Sequence, residues 1–177
     1  MKKNVIVFGL ISGLIVSVLM IIGMAWCYES GNHSMILGYA SMLLAFSLIF
    51  VAVKNYRDKY NNGVISFGKA FKIGLYISLI ASTMYVLAWV IDYYLFMPDF
   101  MDKYAAHEIQ KAQSSGASAA DIAAQVKEIS SMKSMYSSFI WVVLFTYLEI
   151  LPVGLIVSVI TALILKRKAK NNNIAVA

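Results

Sequence analysis

Four apolar runs, each about as long as a bilayer is thick, leave this chain few ways to fold. They cover roughly residues 5–26, 35–53, 73–97 and 139–165. A hydrocarbon core of roughly 30 Å takes about 20 residues of helix at about 1.5 Å each. The first two runs carry no charged residue, the third carries only Asp92 and the fourth only Glu149. Helices are the expected form, because lipid offers no partner to an unpaired backbone amide. A transmembrane barrel would instead show short alternating segments, which the chain lacks. Composition agrees: 60% of the 177 residues are hydrophobic and 14% are charged. A soluble domain needs more polar surface than that.

The first run opens on Lys2 and Lys3 and holds Gly23-Met24-Ala25, features shared with a cleaved leader. Its apolar stretch is about 22 residues, however, against roughly 7–15 for a signal core. The expectation is a retained anchor. A lipoprotein reading of Cys27 is poor, with bulky Trp26 directly before it.

Basic residues orient the chain. Lys2 and Lys3 precede the first run, and Lys54, Arg57, Lys59, Lys69 and Lys72 lie between the second and third. Lys166, Arg167, Lys168 and Lys170 follow the fourth. The connection "CYESGNHS" has no Lys or Arg, and residues 98–138 carry four lysines against five acids. Lys and Arg are retained in the cytoplasm, so both termini and the second connection are expected there. The net charge of +6 then reads as a topology signal and a contact with anionic headgroups. It does not read as a nucleic-acid footprint, which needs a basic face on a folded soluble domain.

Residues 98–138 are the one sizeable polar segment, expected outside as two helices broken at Ser114-Ser115-Gly116. Ser118 with Asp121 is a capping-box start for the second helix. Ile122, Val126, Ile129 and Met132 are expected on one face of it, and Phe100, Tyr104 and Ile109 are offered by the first. A hairpin of about 40 residues cannot bury a core alone, so it should lean on the spans, the membrane surface or a partner. The whole chain is thus expected to be one all-α integral membrane domain with four spans, both termini cytoplasmic, and an extracytoplasmic hairpin.

The chain resembles the bacterial membrane-protein family catalogued as domain of unknown function 4199. The likeness lies in "KNVIVFGLISGLIVS", "YRDKYNNGVISFGKAFKIGLYISLIASTMYV", "WVIDYYLFMPDFMDKY" and "EILPVGLIVSVITALILKRK". It implies a four-helix protein of the bacterial inner membrane. It implies no activity and transfers no catalytic residue.

Small residues should hold the spans together, since leucine gains nothing over lipid. Gly9, Gly13 and Ser17 form such a stripe, as do Gly74, Ser78 and Ser82, and Gly154, Ser158 and Ala162. The stripes suit either a tight bundle or a homo-oligomer. Asp92 shares a helix face with Gly74, Ala81, Tyr85 and Ala88, which aims it into the bundle. It lies about 8 Å below the outer end of its span, and Glu149 roughly 14 Å below the outer end of the fourth. The two acids are expected to face one another or share a pocket. On a straight helix Glu149 lies opposite the Gly154–Ser158–Ala162 stripe, and a kink at Pro152 is the expected remedy. A charge at that depth costs at least about 2.5–3.5 kcal/mol, so a protonated or hydrogen-bonded carboxyl is expected.

Other chemistry is sparse. A single cysteine excludes an internal disulfide and a thiolate cluster. His33 and His107 lack any metal-ligand spacing. No phosphate loop or nucleophile elbow is present, so no catalytic residue, metal or cofactor is expected. Two classes remain: a structural or accessory protein of the envelope with a protein partner, or a small transporter or channel subunit using Asp92 and Glu149. Four helices without an internal repeat are few for a lone transporter, which favours the first.

Overall fold

The computed structural model describes residues 1–30 and 34–168, with side chains for 1–28 and 34–168. His33 and the basic Lys170 lie outside the described residues. Six α-helices follow one another: α1 (Lys2–Ser30), α2 (Met35–Tyr60), α3 (Phe67–Ile91), α4 (Phe100–Ser114), α5 (Ala119–Tyr136) and α6 (Phe139–Leu165). A π turn, Asp92–Phe96, prolongs α3. No strand occurs among the described residues; one isolated bridge pairs Ile65 with Arg167. Among the described residues, four helices are long and apolar enough to cross a membrane: Lys2–Tyr28, Met35–Tyr60, Phe67–Phe96 and Phe139–Leu165.

The helices overrun the apolar blocks that mark them. α2 continues through Lys54, Arg57 and Lys59 to Tyr60, and α3 begins at Phe67 rather than at residue 73. Hydropathy registers the part of a helix that lies in lipid, whereas the backbone bonds carry on into the polar interface. The turn between α2 and α3 falls at Asn61-Asn62-Gly63, where Asn62 (φ 51°) and Gly63 (φ 75°) take the left-handed conformation those residues tolerate. The Gly63 N–H returns to the Arg57 carbonyl at 2.9 Å, and Ser66 caps α3 by accepting from the Lys69 N–H.

Three polar contacts gather the basic segments at one end of the bundle. Asn4 donates its side-chain amide to the Ala52 carbonyl. Ile65 and Arg167 exchange backbone bonds at 3.0 and 2.8 Å, and Arg57 reaches the Leu165 carbonyl. The start of α1, the α2–α3 turn and the close of α6 therefore share the termini end. The α4–α5 pair sits at the other, hairpin end, where Tyr28 donates to the Asp99 carboxylate.

α3 lies between α1 and α6, and α2 packs across all three. The small-residue stripes are the contact surfaces. A Cβ on Gly74 would lie 2.6 Å from Ser158 Oγ, and one on Gly154 2.7 Å from Ser78 Oγ. Gly–Ser on α3 thus interlocks with Gly–Ser on α6, and the two serine hydroxyls meet at 3.2 Å. On the opposite side of α3, Gly9 seats Ile80 and Gly13 seats Met84 and the Ala81 backbone. Phe46, Ile49, Ile77 and Ile150 fill the space these approaches leave, all fully buried.

The hairpin differs from expectation at one position. α4 ends at Ser114, Gly116 takes a left-handed φ of 77°, and Ser118 caps α5 by accepting from the Asp121 N–H. Asp121 then accepts from the Ser118 hydroxyl rather than returning to its backbone. Ile122, Ile129 and Met132 turn inward, but Val126 is exposed. The inner face instead steps through Gln125 and Tyr136. That 3–4–3–4 spacing tracks about 3.6 residues per turn, and the half-buried Gln125 takes the inner position expected of Val126.

Candidate functional site

The hairpin end concentrates the groups with chemical potential. Pro98 shapes it, because a proline drives its predecessor out of the helical region. Met97 accordingly sits at φ −131° and ψ 56°. The last turn of α3 widens before that stop: the Met97 N–H bonds to the Asp92 carbonyl at 3.0 Å, five residues back. The Asp92 N–H is shared between the carbonyls of Ala88 and Trp89. π turns are frequent at functional sites, and this one opens on an acidic side chain.

That side chain is Asp92. Its residue is 9% exposed, and Oδ2 has no hydrogen-bond partner among the described residues. The inward orientation expected from the helix face is the one observed. Glu149 behaves differently. It is exposed and makes no hydrogen bond among the described residues. α6 runs unbroken through Pro152, which is also exposed. Ile150, Thr146 and Gly154 face inward, and Glu149 stands about 100° round from Ile150. The kink expected at Pro152 therefore does not turn the glutamate inward. The carbonyl that the proline leaves unpaired belongs to Leu148, on the exposed side, where it strains nothing in the packed face. No bond joins Asp92 to Glu149. Of the groups around Glu149, the phenols of Tyr85 and Tyr136 are the ones its charge reaches. Burial first, and then that charge, hold the Tyr136 phenol above its usual range.

An aromatic collar surrounds this end. Trp89 meets Phe100 edge-on at 5.3 Å, and Tyr93 stands 5.0 Å from Tyr94 and 5.9 Å from Tyr136. Tyr136 continues to Phe145 at 5.8 Å, and Phe145 to Trp141 at 5.4 Å. The collar joins α3, α4, α5 and α6 where aromatic side chains favour the membrane interface. A second tie reaches α1. Tyr28 donates to Asp99, Lys103 Nζ lies 3.5 Å from Asp99 Oδ2, and the same ammonium lies 3.5 Å from the Tyr28 ring centroid. The Tyr28 hydrogen bond first, and the Lys103 charge after it, hold the Asp99 carboxyl below its usual range. Sequence reading passed over both features. The collar had a signal in the aromatic density of "WVIDYYLFMPDF", whereas the tie links residues 71 positions apart and had none.

His107 is half-buried on α4. No group of three His, Cys, Asp or Glu side chains suited to a metal occurs among the described residues. The stripe residues Gly9, Gly13, Gly74, Ser78, Gly154 and Ser158 are consumed in helix contacts, and Ser17 is buried beside them.

The family model described as "Protein of unknown function (DUF4199)" matches residues 7–167. The chain belongs to that family. The DUF4199 match runs from the first turns of α1 through the pairing strand-like contact at Arg167, so it takes in all four spans and the hairpin. Among curated proteins nothing matches, and among solved structures nothing matches. Among the described residues of this DUF4199 chain, the arrangement offers a buried carboxyl whose Oδ2 has no hydrogen-bond partner and a hairpin tied at its base.

Proposed function

We propose that the protein is a structural or accessory protein of the bacterial inner membrane. In this reading a closed four-helix anchor holds the α4–α5 hairpin on the outer face for a partner in the envelope or a second copy of the chain. One observation carries it. The hairpin is fixed at its base by the aromatic collar and the Tyr28–Asp99–Lys103 tie, yet only Met101 and Ile129 of its two helices are buried. A segment held that firmly, with so much surface left open, is suited to presentation. The gathering of the basic segments at the termini end supports a cytoplasmic placement for that end. No catalysis and no cofactor enter this reading.

A second reading, a small transporter or channel subunit, draws on the buried carboxyl of Asp92 beside its π turn. Against it stands Glu149, which lies on an exposed flank instead of joining Asp92 in one polar path.

The test has two arms. Photo-crosslinkers placed at the exposed Val126 and Gln113 in native membranes should give discrete adducts, while one at buried Ile129 should not. The parent protein in liposomes should show no proton or cation flux above empty vesicles. Flux that Asp92→Asn abolishes, together with no adduct at either exposed position, would establish the transporter reading instead. The threading is tested by labelling Ser115→Cys in a Cys27→Ser background with an impermeant reagent. Labelling of intact spheroplasts is expected, and labelling only after permeabilisation reverses the orientation.

A further inference from the structure

At the termini end, α1 and α3 leave an open groove of about 420 Å³ between them. Its lining is part basic and part apolar. Lys2 lines it from α1 and Lys72 from α3, beside the apolar Val5, Ile6 and Leu79. Seven residues separate Lys72 from Leu79, which is about 10 Å along the helix axis. Tyr76 lies between them in sequence, with the Lys72 ammonium 5.9 Å from its ring centroid. No acid lines the groove, and neither lysine is ion-paired among the described residues.

We propose that this groove is a binding site for one anionic phospholipid, its phosphate between Lys2 and Lys72 and an acyl chain along Val5, Ile6 and Leu79. The inference rests on the membrane placement of the helices and is independent of what the hairpin does. Charge complementarity selects the head: two lysines from different helices line one groove and neither is ion-paired among the described residues, as in the basic clefts between spans that take acidic lipids. The apolar part of the lining selects a lipid over a soluble anion, because a free phosphate would leave those side chains uncovered. Tyr76 suits the level between the two, where amphipathic rings settle. A zwitterionic lipid brings its own ammonium to the same groove and is disfavoured there.

The protein purified in a maltoside detergent can be titrated with dioleoyl phosphatidylglycerol and dioleoyl phosphatidylethanolamine, and bound lipid counted by native mass spectrometry. One phosphatidylglycerol should bind at least tenfold more tightly than phosphatidylethanolamine. Lys2→Gln with Lys72→Gln should weaken it at least tenfold. Leu79→Trp should do the same by filling the groove with no change in charge. Lys54→Gln with Lys166→Gln, removing two charges at the same end but outside the groove, should stay within twofold. Thermal unfolding of each variant checks that the fold persists, and Lys2→Gln alone serves if the double variant does not fold. Equal binding of the two lipids, or an equal loss in the Lys54/Lys166 control, would reduce the effect to diffuse charge and overturn the proposal. So would inorganic phosphate at millimolar concentration displacing the lipid while Leu79→Trp binds normally, since the site would then be one for a free anion.

Discussion

The middle of the bundle and its hairpin end are held together in opposite ways. In the middle, α3 and α6 meet almost backbone to backbone, with Gly74 and Gly154 each facing a serine at a distance no side chain would fit. At the hairpin end, rings 5.3 to 5.9 Å apart and one ionic tie do the joining. Backbone contact leaves no room for one added carbon, whereas the rings meet through side chains in tilted and edge-on pairs. The middle therefore fixes which helices are neighbours. The hairpin end is where the unpartnered carboxyl and the open surface lie.

The largest effects should come from closing the gaps in the middle. Gly74→Ala places a Cβ 2.6 Å from Ser158 Oγ and 2.8 Å from its Cβ, and Gly154→Ala does the same to Ser78. Each should destabilise the bundle by about 1–3 kcal/mol, the usual cost of overpacking. Gly23→Ala and Gly38→Ala, where an added Cβ meets nothing within 4 Å, should unfold at the parent temperature. Thermal unfolding of the four variants in detergent decides it. If Gly74→Ala behaves like Gly38→Ala, the contrast between the two regions collapses.

Next in size is the seat of the hairpin. Ile129 is 7% exposed and Val126 is 43% exposed on the same helix. Ile129→Asp should cost roughly 2 kcal/mol or more, through lost packing and a buried carboxyl without a partner, and free the hairpin to limited proteolysis. Val126→Asp should leave the digestion pattern unchanged. Equal sensitivity in the two variants would mean that α5 is not seated by that face.

How much of this was legible follows from the kind of signal each feature leaves. The spans were readable because lipid demands long apolar runs, and the break at Ser114-Ser115-Gly116 because glycine at positive φ marks a turn. The stripes were readable too, but a GxxxG spacing says only that something approaches closely. That Gly74 meets Ser158 and Gly13 meets Met84 needed the structure. Val126 departs from expectation because an apolar side chain need not mark the inner face, where the half-buried Gln125 stands instead. Glu149 had been placed opposite the small stripe by the same helical arithmetic that the structure obeys. The error lay in expecting Pro152 to override it.

A smaller effect concerns the tie between α1 and the hairpin, and it depends on pH. Asp99 titrates below its ordinary range, so its contribution is complete above the unfolded carboxylate value of about 4 and is lost as pH falls through the lower folded value. Lys103 titrates above its ordinary range, with the Tyr28 hydrogen bond first among the causes. Its contribution is complete below about pH 10 and is lost as pH rises through the higher folded value. The tie should therefore hold at neutral pH and loosen in acid. Hydrogen exchange of the amides in residues 99–104 should quicken as pH falls below about 4, after correction for the intrinsic rate. In Tyr28→Phe that acid step should shrink. An unchanged step would remove Asp99 from the hairpin's anchoring.

The smallest effect on the isolated bundle should come from Glu149, and that makes it the sharpest probe of the hairpin end. Its carboxyl lies ten residues into α6, on an exposed flank, with no hydrogen bond among the described residues. Within one copy of the chain there is thus no hydrogen bond, among the described residues, for a substitution to remove. Glu149→Gln should be silent, because an amide is similar in size and still donates and accepts hydrogen bonds. Glu149→Leu should be silent or stabilising, since it takes a polar group off a surface that faces lipid, where a charge costs at least about 2.5–3.5 kcal/mol at mid-helix. Both are measured by thermal unfolding of monomeric protein in detergent. A clear loss of stability in Glu149→Leu would show that the glutamate is bonded inside the bundle after all, as Ser78 and Ser158 are, and that the two regions share one kind of glue. If unfolding is unchanged but Glu149→Leu alone alters crosslinking between copies in native membranes, the carboxyl is satisfied from outside. The open flank of α6 would then join the hairpin as a surface for association.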